Sequence, residues 1–384
     1  MLNSHINHTN RSSDRVRTLE ASYYISEEAL RQERYNIFLK TWQFACHASD
    51  LAQPGSFKTI SIFDQNIILV RTLEGEIKAH FNVCPHRGHQ LVQDEEKYGE
   101  KRAFTCGYHA WTFGLDGELL GARGIKSAEN VEKSDIRLFP VRVDQLLDLV
   151  FVNLDQDAIP LNEFYPGLAE QMMEACPEVN DYVQYTIEGR SRVFQSEWQA
   201  NWKVLIDNFL ECYHCESAHP TFSDMLCIPD SVRNVYHHFT HEVTPLGKDP
   251  DKWPHPVNLE HDLTESHFWY LFPNTAIGRA AGVPNFYISR FEPNGPDNAM
   301  RSTIVLRPPE WPDEDAPRRA KLRSDWSASS VGPEDQALCE QVQKGMHQIG
   351  FQQGWYINVP DEHNISEHAI RYFHDLYLDW MGAE

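Results

Sequence analysis

The chain has 384 residues, enough for two domains that each bury a core without disulfides or outside help. Its formal net charge of -22 excludes the basic, phosphate-neutralising surface of a nucleic-acid-binding protein and instead favours solubility. The longest apolar runs, Ile60 to Ile62, Ile67 to Val70 and Leu146 to Leu154, are too short or too interrupted to span a bilayer, so no membrane partner is expected.

Met1 to Arg17 is polar, rich in Asn, Ser and His, and lacks the apolar core of a secretory signal; it reads as a loose cytosolic leader, and the expected location is cytoplasmic. Eight cysteines (Cys46, Cys84, Cys106, Cys176, Cys212, Cys215, Cys227, Cys339) are scattered through the chain, as suits a reducing compartment in which thiolates bind metal or fill cores. Residues 26–41 read as a helix, with Glu27 and Glu28 in its first turn and Leu30, Tyr35, Phe38 and Leu39 near helical spacing. From Gly55 to Asp155 short β-rich runs follow: Phe57 to Phe63, Ile67 to Thr72, Ile77 to Val83, Phe104 to Thr105, Arg137 to Val143 and Leu149 to Asn153, with glycines between many of them. Beyond them Phe164 to Ala175 reads as helix, Tyr182 to Ser191 as strand and Trp198 to Cys215 as helix. Strands return at His267 to Phe272, Asn285 to Phe291 and Ala299 to Leu306; Arg307 to Pro317 is a loop, and a helix runs from Pro333 to Ile349 with Gly350 after it. The pattern predicts an N-terminal arm (1–41), an all-β module (42–155) and an α+β domain (156–384).

Within the β module, Cys84-x-His86 and Cys106-x-x-His109 offer two thiolates and two imidazoles on two turns. A 2Fe-2S cluster with two His on one iron needs this inventory. Pro85 and Gly88 tighten the first loop, and Gly107 and Gly114 are expected to let backbone approach the sulfurs. The bland alternative is a structural zinc site, although zinc modules more usually pair Cys with Cys and His with His. Cys84-Pro-His86-Arg87-Gly88 and Cys106-Gly-Tyr-His109-Ala-Trp111 resemble the Rieske motif of ring-hydroxylating and related oxygenases. Rieske proteins of respiratory chains carry an extra disulfide between their ligand loops, and no cysteine is placed here to form it. An electron carrier needs little beyond the β module, so the remainder of the chain must do something else.

The run Asn201 to Pro220 looks like the mononuclear iron motif of the same oxygenases. His214 and His219 are five apart, about 140° on a continuous helix, so the helix must break before His219-Pro220 for both to meet one metal. Two His and one carboxylate leave open positions on Fe(II) for dioxygen and substrate. The resemblance places the carboxylate in the late helix, where Asp335 is the best match and Glu334 the neighbour it could be confused with; alone, either reads as a helix cap or dipole partner. Glu211, three before His214, could share its helix face. The family resemblance implies that the two metals lie far apart within one chain and that Glu211 joins His214 to His109 of the partner subunit, with Asn208 near the open iron side. Aromatic ring dioxygenases commonly have Asp at the linking position, one residue further from the Asn. The Glu-Cys-Tyr-His form here is similar to oxygenases acting on carnitine, glycine betaine and proline betaine.

The resemblance therefore implies an α+β fold, an all-β Rieske iron-sulfur domain beside a catalytic domain of helix-grip type with a central antiparallel sheet. It implies a Rieske 2Fe-2S cluster, a mononuclear non-haem Fe(II) and a monooxygenase that hydroxylates or N-demethylates a quaternary ammonium substrate. The alternatives are an aromatic ring-hydroxylating oxygenase and a non-enzymatic zinc or iron-sulfur module. Tyr213, Phe268, Trp269, Tyr270, Phe286 and Tyr287 are candidate faces for a cation, against the ordinary reading of strand aromatics as core. No Gly-x-Gly-x-x-Gly follows a strand, so NAD(P)H would act only through a separate flavin and iron-sulfur reductase. The inter-subunit link calls for a closed assembly, and the family resemblance implies a homotrimer as the simplest choice.

Overall fold

The computed structural model describes residues 16–127, 129–186, 193–359 and 363–382. The chain divides into two compact units, Phe38–Glu163 and a second made of Met1–Ile37 with Phe164–Glu384. No helix among the described residues is long and apolar enough to cross a membrane.

In the unit Phe38–Glu163 seven antiparallel strands form one sheet, in the order Gln43–His47, Leu149–Asn153, Pro140–Leu146, Ile77–Phe81, Gln65–Arg71, Ser56–Ile62 and Tyr98–Glu100. Ile67, Ile68, Leu69 and Val70 are all fully buried, as befits a strand in the middle of its sheet covered on both faces. A second, three-stranded sheet (Phe104–Thr105, Thr112–Phe113, Leu119–Gly121) holds one of the two Cys/His loops. Phe57, Phe104, Phe113 and Leu138 pack round Cys84 and Cys106 in a single core cluster.

The second unit is built on an eight-stranded antiparallel sheet. From one edge it runs Val183–Gln184, Ala299–Arg307, Phe286–Pro293, Thr275–Arg279, Glu265–Leu271, Phe239–Pro245 and Val232–Val235, and Phe194–Trp198 also pairs with Ala299–Arg307. Register sets which side chains share a face: Phe268, Gly278 and Tyr287 stand opposite one another on three neighbouring strands. Helices Trp202–Phe209, Val331–Met346 and His368–Met381 belong to this unit, and Tyr270 and Trp202 both meet the Phe373 ring edge-on. Ser26 caps the helix Glu27–Glu33, its hydroxyl accepting from the Ala29 N–H at 3.2 Å. Its last residue, Glu33, is fully buried and accepts from Lys203 Nζ (2.5 Å), Trp202 Nε1 (2.8 Å) and the Tyr377 hydroxyl (2.8 Å). Four polar groups thereby satisfy one another where no water reaches.

Several expectations need correction. The first helix does not continue to residue 41 but passes into a π turn at Arg34–Phe38. The helix expected over 198–215 ends at Phe209, because the Glu211 carboxylate takes the His214 backbone N–H (3.1 Å) that a continuing helix would spend on its own ladder. Only Val183–Gln184 of the expected strand 182–191 is a described strand; residues 187–192 lie outside the described residues. Two 14-residue helices went unforeseen, Ala316–Ser329 and His368–Met381.

Candidate metal centres

The two Cys/His loops in the β unit are built alike. In each, the Cys carbonyl accepts from the residue four on (Gly88 N–H at 2.9 Å, Ala110 N–H at 3.0 Å). In each, the Cys N–H donates to the carbonyl five on (His89 and Trp111, both 2.8 Å). Closing such a turn requires a left-handed residue, supplied by Gly88 at φ 72° and Ala110 at φ 57°. A Cβ added at Gly107 would meet the His89 ring, and one at Gly114 the Asp116 carboxylate.

Cys84 and Cys106 are 1% and 3% exposed, and burial, with the neighbouring Cys106 thiol adding to it, raises the Cys84 thiol above its ordinary value. The His86 and His109 rings lie 4.7 Å apart, and Trp111 stacks flat on His86 at 4.4 Å, which gives the Trp of the motif a structural task. His109 is exposed at the surface of its unit. Two buried thiols and two imidazoles nearer the surface fit a 2Fe-2S cluster with its His-bound iron outermost.

In the second unit His214, His219 and Asp335 bring one ligand atom each within 4.8 Å of one another. The expected break falls at His219 (φ -127°, ψ 68°), between the short helices Cys215–Ala218 and Pro220–Met225. Asp335, in the first turns of Val331–Met346, sets Oδ1 at 2.9 Å from His219 Nε2 and 3.6 Å from His214 Nε2. Each imidazole has its other nitrogen on a carboxylate: His214 Nδ1 donates to Glu211, and His219 Nδ1 to Glu334 Oε2 at 2.7 Å. These bonds hold a proton on each Nδ1, so both Nε2 atoms face Asp335 and are the ones a metal would take in place of a proton. Asn208 completes the group, its amide donating to Asp335 Oδ1 at 3.2 Å and lying 3.4 Å from His214 Nε2. Glu334, named from the sequence only as a rival to Asp335, instead orients His219; a carboxylate beside the ligand on the same helix turn was the available signal.

The electrostatics suit a cation. Burial alone would disfavour charge, yet Asp335 and Glu211 outweigh it and push His214 up to about 9. Likewise burial would raise Asp335, but the two imidazoles hold its carboxyl down to about 2. A divalent metal fits this donor set, with open positions left after three protein ligands.

Beside the ligands Cys215, Met225, Leu226, Ile228 and Ala281 form a buried cluster, with Phe222, Trp253, Phe268 and Trp326 packed against it. A Cβ at Gly278 would collide with the Tyr287 ring, so glycine there lets the phenol lie across the strand. Of the six aromatics expected to face a cation, Phe268 and Tyr287 share this face of the sheet. Trp269, one residue on, points to the other face, where it stacks on His241 (4.7 Å) and meets Phe286 (6.4 Å). Tyr270 is fully buried and donates to the Pro273 carbonyl, and Tyr213 is 52% exposed. The cysteines also depart from expectation, since Cys212 and Cys215, on either side of Tyr213 and His214 with Cα atoms 4.9 Å apart, form a disulfide.

Comparison with known proteins agrees with both centres. Residues 41–135 match the Rieske [2Fe-2S] domain and residues 184–383 the ring hydroxylating alpha subunit (catalytic domain). The chain is 34% identical over 362 residues to the carnitine monooxygenase oxygenase subunit of Escherichia coli (strain K12), covering 94% of this chain and 92% of that protein. It superposes on the quaternary ammonium Rieske monooxygenase CntA in complex with L-carnitine at TM-score 0.79 and 30% identity, over 95% of this chain and 96% of that one. Naphthalene 1,2-dioxygenase from Rhodococcus sp. shares the fold at TM-score 0.80 and 20% identity, over 95% of this chain and 94% of that one. With both domain types matched and homology running nearly end to end, the chain belongs to the Rieske non-haem iron oxygenases, oxidoreductases whose alpha subunit carries a 2Fe-2S cluster and a mononuclear iron.

Proposed function

We propose that this chain is the terminal oxygenase component of a monooxygenase acting on a quaternary ammonium substrate of betaine type. The observation that carries the reading is a group of aromatic side chains, Phe222, Trp253, Phe268 and Trp326, packed on the apolar cluster that contains Cys215, next in sequence to the ligand His214, with the Phe222 ring 6.3 Å from that of His219. Aromatic faces attract an N-methylated cation without demanding a counter-ion. The Glu-Cys-Tyr-His form and the similarity to a carnitine monooxygenase subunit point the same way.

His214, His219 and Asp335 would hold the iron, and Cys84, His86, Cys106 and His109 the cluster. When bound, the two groups supply electrons and the activation of dioxygen. In the net reaction one oxygen atom enters a C–H bond of a carbon attached to nitrogen, and the other leaves as water with two electrons and two protons. The hydroxylated carbon then breaks from nitrogen, giving a tertiary amine, a carbonyl compound and a proton. From an N-methyl group that carbonyl compound is formaldehyde.

The residues divide the remaining work. Glu211 and Glu334 hold the protons on His214 Nδ1 and His219 Nδ1, and Asn208 steadies the Asp335 carboxylate. Glu211 is further proposed to link His214 to His109 of the partner subunit within a homotrimer, and the exposure of His109 supports that role. A separate flavin and iron-sulfur reductase would draw electrons from NAD(P)H.

The test is a single turnover of dithionite-reduced protein with oxygen, against a panel of betaines and aromatic acids, scoring amine and carbonyl products. Betaines are expected to yield both in equal amounts. Hydroxylated aromatic acid, with no product from any betaine, would overturn the proposal in favour of a ring hydroxylase.

A further inference from the structure

The apolar cluster that contains Cys215 and Ala281 is bordered by a cationic side chain, Arg323. Arg323 and Trp326, three apart on the helix Ala316–Ser329, share a face of it, and Trp326 packs against the same cluster as Phe222 and Phe268. The guanidinium of Arg323 reaches the loop around Ala281, a member of that cluster, where its Nη1 makes only long bonds to the Ala280 carbonyl (3.4 Å) and the Val283 carbonyl (3.3 Å). Asp262, whose charge Arg323 senses, is already gripped by Arg319 through Nε (2.9 Å) and Nη2 (2.8 Å). No carboxylate among the described residues accepts a hydrogen bond from Arg323. Burial pushes its guanidinium down to about 10, the mark of a cation short of partners.

Tyr287 ties this cation to the iron ligands. It stands across Gly278 from Phe268, on the sheet face that packs against the cluster, and its phenol, raised to about 12 by burial, feels the charges of Arg301 and Arg323 and also that of Asp335. Arg301 has work already, its Nε and Nη2 both donating to Ser289 Oγ at 3.3 Å. A partly buried guanidinium with spare N–H groups, beside an apolar wall and a phenol that can donate, is the chemistry that recognises a carboxylate.

Resting on the betaine reading above, we propose that Arg323, with the Tyr287 hydroxyl, takes the carboxylate of a zwitterionic substrate and so sets how far its quaternary nitrogen reaches toward His214, His219 and Asp335. The aromatic faces bind the cationic half, and Arg323 binds the anionic half. A molecule with both charges at the right separation is selected over a plain quaternary amine.

The experiment compares wild type, Arg323→Gln and Arg323→Lys on glycine betaine and L-carnitine and on their methyl esters, which keep the quaternary nitrogen and lose the negative charge. Iron content, cluster absorbance and thermal midpoint verify that each variant is folded and loaded. Loss of a charge-assisted pair predicts that Arg323→Gln raises KM for the carboxylates by about tenfold or more, with a smaller change in kcat. The esters, poor substrates of the wild type, should change by less than about twofold, within ordinary scatter for an uncoupled contact. Arg323→Lys should recover part of the carboxylate preference. Equal effects on acids and esters, or none on either, would overturn the role of Arg323. A wild-type enzyme that turns over none of the four compounds would instead overturn the betaine reading itself.

Discussion

Around the mononuclear site each imidazole has a carboxylate partner that fixes its Nδ1 and leaves its Nε2 for metal. Substituting His214 or Asp335 by Ala removes a ligand but touches nothing in the β unit, so turnover is expected to vanish while the visible and EPR spectra of the cluster persist. Loss of the cluster signal would refute the division of ligands between the two centres. Glu334→Gln is milder, since it keeps the shape and loses the charge held at 2.7 Å from His219 Nδ1. Weakening such an outer partner typically costs about 10–100-fold in metal affinity, measurable by iron titration of the apoprotein with the cluster as internal control. Unchanged affinity would make Glu334 a mere neighbour. Much of this site was legible because its ligands sit close together in sequence, at Cys84-x-His86, Cys106-x-x-His109 and His214-x4-His219. Asp335 lies 127 residues beyond the Asn208 it bonds, a distance no local pattern spans, and only resemblance located it. The orientation of the strand aromatics was not legible, because sequence adjacency puts Phe268 and Trp269 on opposite faces and only register says which face meets the iron ligands.

At the scale of elements, the helix Trp202–Phe209 is held from below by a fully buried ion pair, Lys203 with Glu33. Burial lowers the Lys203 ammonium from its ordinary value, and Glu33 opposes that shift. Removing one partner leaves the other charged and dry, at a cost of about 3–5 kcal/mol, so Lys203→Met should move the unfolding transition of the catalytic unit well down in calorimetry. Glu33→Gln with Lys203→Met should cost less than the two single changes added together. A second element-scale effect concerns acid. His238, buried and stacked on Phe164 at 3.9 Å, is lowered to about 4 by burial and then by His237; His241 is lowered to about 4 by burial and then by His267. Both stay neutral in the folded chain, whereas the unfolded chain takes up their protons near pH 6.5. The stability these two histidines contribute is therefore full above about pH 6.5 and is lost as pH falls toward 4, and His238→Phe should flatten that part of the slope in thermal midpoints. Of the two unforeseen helices, His368–Met381 carried a signal in Ile370, Phe373, Tyr377 and Met381, all buried at helical spacing, with Gly382 in the left-handed conformation after its end. Ala316–Ser329 carried little, since it buries only Ala316, Arg319 and Ala320 and follows a proline-rich loop.

At the scale of the whole molecule the open question is which cluster serves which iron, and it has a genetic answer that needs no spectroscopy. A Cys84→Ser chain lacks the cluster and a His214→Ala chain lacks the mononuclear iron, so each alone is expected to be inactive. Neither change removes a backbone hydrogen bond: the loop at Cys84 is closed by main-chain groups of residues 84, 88 and 89. Both chains should therefore fold and assemble together when co-expressed. If electrons pass from one subunit to the next, an interface is active whenever a cluster-bearing His214→Ala chain precedes an iron-bearing Cys84→Ser chain. Random mixing of equal amounts in a closed ring makes that true of about one interface in four, so the whole mixture, purified without selecting for both chains, should show about a quarter of wild-type turnover per subunit. If instead each chain feeds its own iron, no mixed assembly contains a working pair and activity stays at the background of the separate variants. Adding Glu211→Gln to the Cys84→Ser chain sharpens the result, because only in that chain does Glu211 stand beside a usable iron ligand. The mixture should then fall well below a quarter, while the same change placed in the His214→Ala chain should leave it unaltered.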